Sequence, residues 1–296
     1  GGMMGWRIIV VTKRAKISYS LGYMVIRGME THKVFMDEIE TVMVDSTAVS
    51  LTAAWLHECM KRKIKVIFCD EKRNPEGELL SYAGTVDASC CLRTQIHWNL
   101  ADKRSVWQSI VMDKIHKQAD VLGNHGKQRE SELLKTYETQ VEPGDDTNRE
   151  GFAAKVYFGA LWGNTFSRNN EGAVNGAMNY GYAILLSACN REIVSTGYST
   201  KLGIFHDNTY NPFNLGCDLM EPFRPLVDEV VMELKPKMVG KEEKERLINI
   251  LNDKVYIAQK ERTVMQAIGI YCRSVIHAVN EGKPELIKRY EVIHGK

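Results

Sequence analysis

The hydrophobic pattern of this chain changes period once, near residue 87, and that change limits the folds open to it. Before it, β-branched and aromatic residues gather in short runs at Arg7 to Val11, Lys16 to Tyr19, Tyr23 to Arg27, Lys33 to Met36 and Glu40 to Val44, which have the length and composition of strands. One helix is expected from Leu51 to Lys61 behind Ser50 as its N-cap. Strand resumes at Val66 to Cys69, and Asn74-Pro75-Glu76-Gly77 reads as a turn before a last run at Leu79 to Tyr82. From Ser89 onward, Leu92, Ile96, Leu100, Trp107, Ile110, Ile115 and Ala119 recur at helical spacing. Further amphipathic stretches cover Gln128 to Thr139, Gly151 to Leu161, Ala173 to Asn190, Leu226 to Lys235, Lys241 to Asn252 and Thr263 to Glu281. Strands segregated from helices predict an α+β chain. It would consist of a small N-terminal β-rich domain at residues 1–86 and a larger, all-helical domain at 87–296, joined by a short segment near Asp87.

A length of 296 residues exceeds the common single-domain size of roughly 100 to 200 residues, so each part can bury its own core. With 44% hydrophobic and 26% charged residues, the composition is that of a globular protein and excludes disordered and fibrous classes. The longest apolar stretches, such as Ala183 to Ala188, fall far short of the roughly 18 residues that a spanning helix requires. The start of the sequence has no secretory apolar region, so no membrane association and a cytoplasmic location are expected. Seven scattered cysteines, with no Cys-x-x-Cys pair, suit reduced thiols packed as small hydrophobes.

A net charge of +2 does not announce a polyanion partner, and distribution matters more than the total. Lys13-Arg14 with Lys16, and Lys61-Arg62-Lys63 with Lys65, are clusters able to touch phosphates, although charge runs more often form solvated faces.

Three segments carry residues suited to chemistry. Thr147-Asn148-Arg149-Glu150 opens a helix, and Thr147 with Glu150 fits the spacing of a capping box, which would by itself explain the glutamate. Gly203-Ile204-Phe205-His206-Asp207-Asn208 is a loop that places one imidazole among turn-forming residues. In Gly216-Cys217-Asp218-Leu219-Met220-Glu221-Pro222-Phe223-Arg224-Pro225, three positions separate Asp218 from Glu221, so a helical turn puts both carboxylates on one face. Pro222 and Pro225 require that turn to be a helix start or a kink, where Asp218 could serve as a cap. One imidazole with two or three carboxylates is a hard, oxygen-rich set. It suits Mg²⁺ or Mn²⁺ holding phosphate oxygens better than a closed zinc site, and phosphoryl chemistry is its natural use. The sequence contains no Walker phosphate loop, no Gly-x-Ser-x-Gly elbow and no His-Glu-x-x-His helix. Gly172 to Tyr182 reads as close helix packing rather than a cofactor loop.

Taken in order, the Glu150-Gly-Phe-Ala-Ala segment, Asn175-Gly-Ala-Met-Asn-Tyr-Gly-Tyr182, Gly203-Ile-Phe-His206 and Asp218-Leu-Met-Glu221-Pro-Phe-Arg-Pro resemble the CRISPR-associated integrase family, protein one of the adaptation pair, in its type II branch. The resemblance spans essentially the whole chain. It implies that Glu150, His206 and Glu221 bind a catalytic Mg²⁺ or Mn²⁺, with Asp218 as an accessory acid. Some family members carry aspartate where this chain has Glu221, so which of Asp218 and Glu221 coordinates directly stays open. The implied reaction inserts captured DNA fragments into a repeat array: a fragment's 3′-hydroxyl attacks a phosphodiester at the leader–repeat border, and a second attack follows at the far end of the repeat. The implied partners are double-stranded DNA, a second copy through the β-rich domain, and CRISPR-associated protein two, a small ferredoxin-like protein that bridges two dimers. Other adaptation proteins and the RNA-guided effector are open additions. DNA contacts are expected from Arg224, Lys13, Arg14, Lys61, Arg62 and Lys63. Two alternatives stand beside this reading: a DNA-binding scaffold without activity, and a general metal-dependent nuclease of branched DNA.

Overall fold

The computed structural model describes residues 7–71, 75–82 and 88–293. The chain divides into two compact units, Gly1–Ala83 and Gly84–Lys296; the join near Asp87 expected from the sequence lies outside the described residues.

In the first unit, β1 (Arg7–Val11), β5 (Ile39–Val44) and β7 (Lys65–Cys69) are parallel neighbours, and β8 (Pro75–Glu78) runs antiparallel to β7. Every residue of the central strand β5 is buried, as expected for a parallel strand covered on both faces. A second sheet has the order β4 (Thr31–Phe35), β3 (Tyr23–Arg27), β2 (Ala15–Ser20), β6 (Val49–Leu51). The β2–β3 hairpin turns at Leu21 and Gly22, which both have positive φ (48° and 85°). That conformation matches the twist of the flanking strands. Ile17, Met24, Met36, Val42, Trp55 and Val66 form the heart of the core, and full burial of each such side chain contributes roughly 1.5–3 kcal/mol.

Two expectations for this unit are corrected. Val49–Leu51 pairs with β2, so Ser50 is strand rather than cap. Helix α1 (Ala53–Lys61) starts two residues later, with Thr52 accepting from the Trp55 amide. The expected turn at 74–77 and strand at 79–82 are displaced as well: Pro75–Glu78 is itself β8, paired to β7 across an irregular register, while Asn74 lies outside the described residues.

The second unit is mostly helical. Its helices are α2 (Ala88–Ile96), α3 (Leu100–Asn124), α4 (Gln128–Thr139), α5 (Arg149–Trp162), α6 (Ala173–Ser195), α7 (Asn214–Met220), α8 (Arg224–Leu234), α9 (Lys241–Asn249) and α10 (Val264–Glu281). The helical run from Ser89 is broken at 97–99, where Asn99 caps α3 by accepting from Ala101 and Asp102. α3 is roughly 37 Å long and, like α6, is buried along most of its length.

The unit is not all-helical, because β9 (Lys254–Ile257), β10 (Lys260–Thr263) and β11 (Tyr290–Val292) form an antiparallel sheet in the order β10-β9-β11. Ala258 and Gln259 make the β9–β10 turn at positive φ without the glycine or asparagine that would announce it. All seven cysteines are free thiols. Among the described residues, no helix is long and apolar enough to cross a membrane.

α6 and α8 approach closely at Gly181, where a Cβ would lie 2.5 Å from Val227 Cγ1. Alanine in an open helix gains about 1 kcal/mol over glycine, but overpacking costs about 1–3 kcal/mol, and at 2.5 Å the clash wins. Gly181→Ala is therefore expected to lower stability in urea denaturation, and the Gly181→Ala, Val227→Ala double variant to lose less than the sum of the single losses. A stabilised Gly181→Ala protein would contradict this packing.

Candidate active site

The site lies within the second unit and is assembled from four elements around the buried helix α3. The start of α5 presents Glu150. Its cap is Asn148, held in the left-handed region (φ 54°) and accepting from the Gly151 amide, while Asp145 accepts from the amides of Arg149 at 2.8 Å and Glu150 at 3.0 Å. The expected Thr147–Glu150 capping box does not form, because Asp145 and Asn148 satisfy those donors. The Glu150 carboxylate is thereby free to reach Lys114 of α3, whose Nζ donates to Oε1 at 2.5 Å.

The same ammonium donates to Glu221 Oε2 at 2.5 Å. Glu221 begins the 3-10 turn Glu221–Phe223, between α7 and α8. Tyr290 anchors that turn by donating its hydroxyl to the Pro222 carbonyl at 2.8 Å, and the Phe223 ring stacks on Tyr290. Arg224 Nε donates to the other oxygen of Glu221 at 2.9 Å. Burial by itself would push the Glu221 carboxyl up, but the charges of Lys114 and then Arg224 outweigh it and hold the group well below its usual range. For Lys114 the balance is the mirror image. Burial opposes the ammonium, while Glu221 and then Glu150 keep its pKa above the ordinary lysine value.

His206 sits in the loop between α6 and α7, and Asp218 of α7 organises that loop. Fully buried, Asp218 accepts from the amides of Ile204 at 2.6 Å, Phe205 at 3.1 Å and His206 at 3.0 Å, and bonds His206 Nδ1 at 2.6 Å. It is therefore not a helix cap, since it lies within α7 and spends its oxygens on the loop. Gly203 allows the loop to wrap this tightly: a Cβ there would stand 2.2 Å from the His206 carbonyl and 2.7 Å from Asp218 Oδ2. Phe205 stacks on Trp107 of α3 with centroids 4.4 Å apart, and the imidazole meets the same indole edge-on at 5.8 Å. The hydrogen bond to Asp218 is the main cause that raises His206 above its usual value; burial opposes it, and the charges of Asp218, Glu221 and Glu150 add to it.

Glu150, Glu221, Lys114 and Arg224 thus form one ion-paired group, and His206 with Asp218 lies within electrostatic reach of it. Among the described residues, no three His, Cys, Asp or Glu side chains stand arranged to hold a metal ion. The donor chemistry nonetheless fits a hard cation. Two carboxylates from different elements already share one positive charge, and an imidazole fixed through Nδ1 by a carboxylate keeps Nε2 free, the arrangement that orients metal-binding histidines.

Arg224, expected at DNA, is committed to Glu221 and lies over Tyr182, its guanidinium carbon 4.5 Å from the ring centroid. Lys13, Arg14, Lys61 and Lys63 are exposed in the first unit. Arg62 there is paired with Glu58 and Asp37. The sequence reading missed Lys114, although its spacing of seven from Trp107 and four from Ile110 puts it on the apolar stripe of α3.

A cavity of about 200 Å³ beside the site is lined by Lys114, Glu221, Arg224, Arg168, Tyr182 and Asp228, among others. Burial raises the Asp228 carboxyl from 3.8 to about 6, against the hydrogen bond from Tyr182.

The family model for CRISPR associated protein Cas1 matches residues 8–265. A CRISPR-associated endonuclease Cas1 of Neisseria meningitidis serogroup C (strain 8013) is 32% identical over 296 residues, which is 98% of this chain and 97% of the relative. Among solved structures, a casposase bound to integration product aligns with a TM-score of 0.78 at 19% identity, covering 94% of this chain and 92% of that one. A chain of a Cas6-RT-Cas1–Cas2 complex aligns with a TM-score of 0.75 at 19% identity, covering 98% of this chain but 36% of that chain. At these identities the two structures speak for the fold.

Two stability predictions follow from the site. Asp218→Asn places an amide against the three loop N–H groups and the imidazole, and is expected to cost about 1–3 kcal/mol in urea denaturation; an unchanged midpoint would contradict the organising role of Asp218. For Asp228, the folded chain holds the proton more tightly than the unfolded chain, so its contribution to stability is lost as pH rises from about 4 to about 6. Asp228→Asn should gain on the wild type by up to about 3 kcal/mol across that window, and a difference independent of pH would overturn the assignment.

Proposed function

The chain belongs to the CRISPR-associated Cas1 family, and from that membership we propose that it is a metal-dependent DNA integrase and endonuclease of CRISPR adaptation, acting in the cytoplasm. The observation that carries the reading is the meeting of Glu150 and Glu221, from different elements, on one buried cation, beside an imidazole locked by Asp218.

In this reading Glu150, Glu221 and Nε2 of His206 hold Mg²⁺ or Mn²⁺, and Asp218 acts by orienting the imidazole rather than by ligation. The ion, when bound, polarises the phosphoryl group and stabilises the charge that develops in transfer. The 3′-oxygen of a captured fragment attacks phosphorus in the target strand and loses its proton. A new P–O bond forms, the bond to the target's own 3′-oxygen breaks, and that oxygen leaves as a hydroxyl after taking up a proton. Arg224 fixes the second oxygen of Glu221, which leaves the first oxygen aimed at the shared cation.

Double-stranded DNA is the substrate. The fold likeness to a casposase solved with its integration product supports insertion chemistry, and the likeness to a chain from a complex containing Cas2 supports CRISPR-associated protein two as a partner; that this partner bridges two dimers is part of the proposal. The β-rich unit is assigned to pairing of two copies, and the exposed Lys13, Arg14, Lys61 and Lys63 to backbone phosphates.

Transfer of a short duplex with 3′-hydroxyl ends into a supercoiled plasmid carrying the repeat tests this function. Glu150→Ala, His206→Ala and Glu221→Ala are each expected to lower the rate by about a hundredfold or more, and a plasmid with a scrambled repeat to be a poor target. Wild-type rates in all three variants would overturn the site. Equal transfer into both plasmids would favour a general nuclease.

A further inference from the structure

Glu150 and Glu221 already share a cation made of protein. Lys114 Nζ lies 2.5 Å from an oxygen of each, with the lysine only 8% exposed, and Arg224 occupies the remaining oxygen of Glu221. Two carboxylates are therefore matched one for one by two protein cations. A divalent ion entering this group would bring positive charge to a centre already balanced, and would compete for the same oxygen atoms as the ammonium. Like charges at such spacing repel strongly where water is scarce. Lysine is suited to yield, since its ammonium is a point charge on a flexible four-carbon stem. It also has somewhere to go: the adjoining cavity of about 200 Å³ is lined by Lys114, Arg168 and Arg224 together with Glu221 and Asp228, so its cations outnumber its carboxylates and leave a positive balance for a phosphate.

From this geometry we propose that Lys114 is a resident counter-cation that competes with the divalent ion for Glu150 and Glu221, and that a phosphate of bound DNA admits the ion by drawing off the ammonium and restoring the charge balance. The inference rests on the metal-site reading above. It makes metal and DNA binding cooperative, each strengthening the other by the same factor, so that the free protein holds its metal weakly and arms the site on DNA.

The test is Mn²⁺ binding to the full chain, followed by calorimetry and by the electron paramagnetic resonance of free Mn²⁺, in wild type, Lys114→Met, Lys114→Gln and Glu150→Gln. Without DNA, both lysine variants should bind Mn²⁺ about tenfold more tightly than wild type. A short duplex should tighten wild-type binding by about tenfold and that of the lysine variants by less than about threefold. Binding that is lost in Glu150→Gln but is no tighter in the lysine variants overturns the inference and leaves the metal site standing. Binding indifferent to Glu150→Gln overturns both. Should circular dichroism show the lysine variants unfolded, reductive methylation of wild-type Lys114, read by mass spectrometry, decides the matter: labelling that rises on adding Mn²⁺ alone supports displacement, and unchanged labelling overturns it.

Discussion

One buried ammonium organises the candidate site. Glu221 is 4% exposed, and a carboxylate so far from water is tolerated only when paired, because an uncompensated buried charge costs several kcal/mol. Lys114 meets that requirement for Glu221 and at the same time reaches Glu150, which lies 71 positions earlier in the chain. The 3-10 turn after α7, the first turn of α5 and the middle of α3 are tied at one point as a result. The long helix serves as the common support for all of them: Lys114 grips the carboxylates, and two turns earlier Trp107 carries the Phe205–His206 loop on its face.

The second organising group is Asp218, and its chemistry explains how the 204–206 segment of the His206 loop is fixed. Three successive amides and one imidazole nitrogen converge on its two oxygens, and charge-assisted bonds of this kind are roughly twice as strong as neutral ones. The loop is shaped around the carboxylate, with Gly203 at the point where no side chain fits. Asp218 and Glu221, three residues apart, consequently do different work. The first holds the imidazole, and the second faces the shared cation, which gives a physical basis for choosing Glu221 over Asp218 as the direct ligand.

Much of this was legible in the amino-acid order. The runs at Arg7–Val11 and Tyr23–Arg27 have the bounds of β1 and β3, and the stretch Gln128–Thr139 has those of α4, because alternation and helical spacing directly reflect burial. The sheet of β9, β10 and β11 was hidden by a turn at Ala258-Gln259 that adopts left-handed backbone without the residues that favour it. Local spacing also suggested caps at Thr147–Glu150 and Asp218 that do not form. Other groups won in both cases: the neighbouring Asp145 and Asn148 took the amides of α5, and the His206 loop, more distant in the chain, took Asp218. Lys114 escaped notice because a lysine inside a helix reads as solvated. Its position on the stripe of Trp107 and Ile110 was the available signal, and its meaning depended on two carboxylates contributed by distant segments.

The central claim is that Glu150, Glu221 and His206 serve a single divalent ion. Crystals soaked in Mn²⁺ with a bound DNA end, measured for anomalous scattering, address it most directly. One peak in coordination contact with both carboxylates and with Nε2 of His206, with the Lys114 ammonium moved away, is the predicted result. A peak elsewhere in the chain, or none while Lys114 keeps its bridge, would contradict the account.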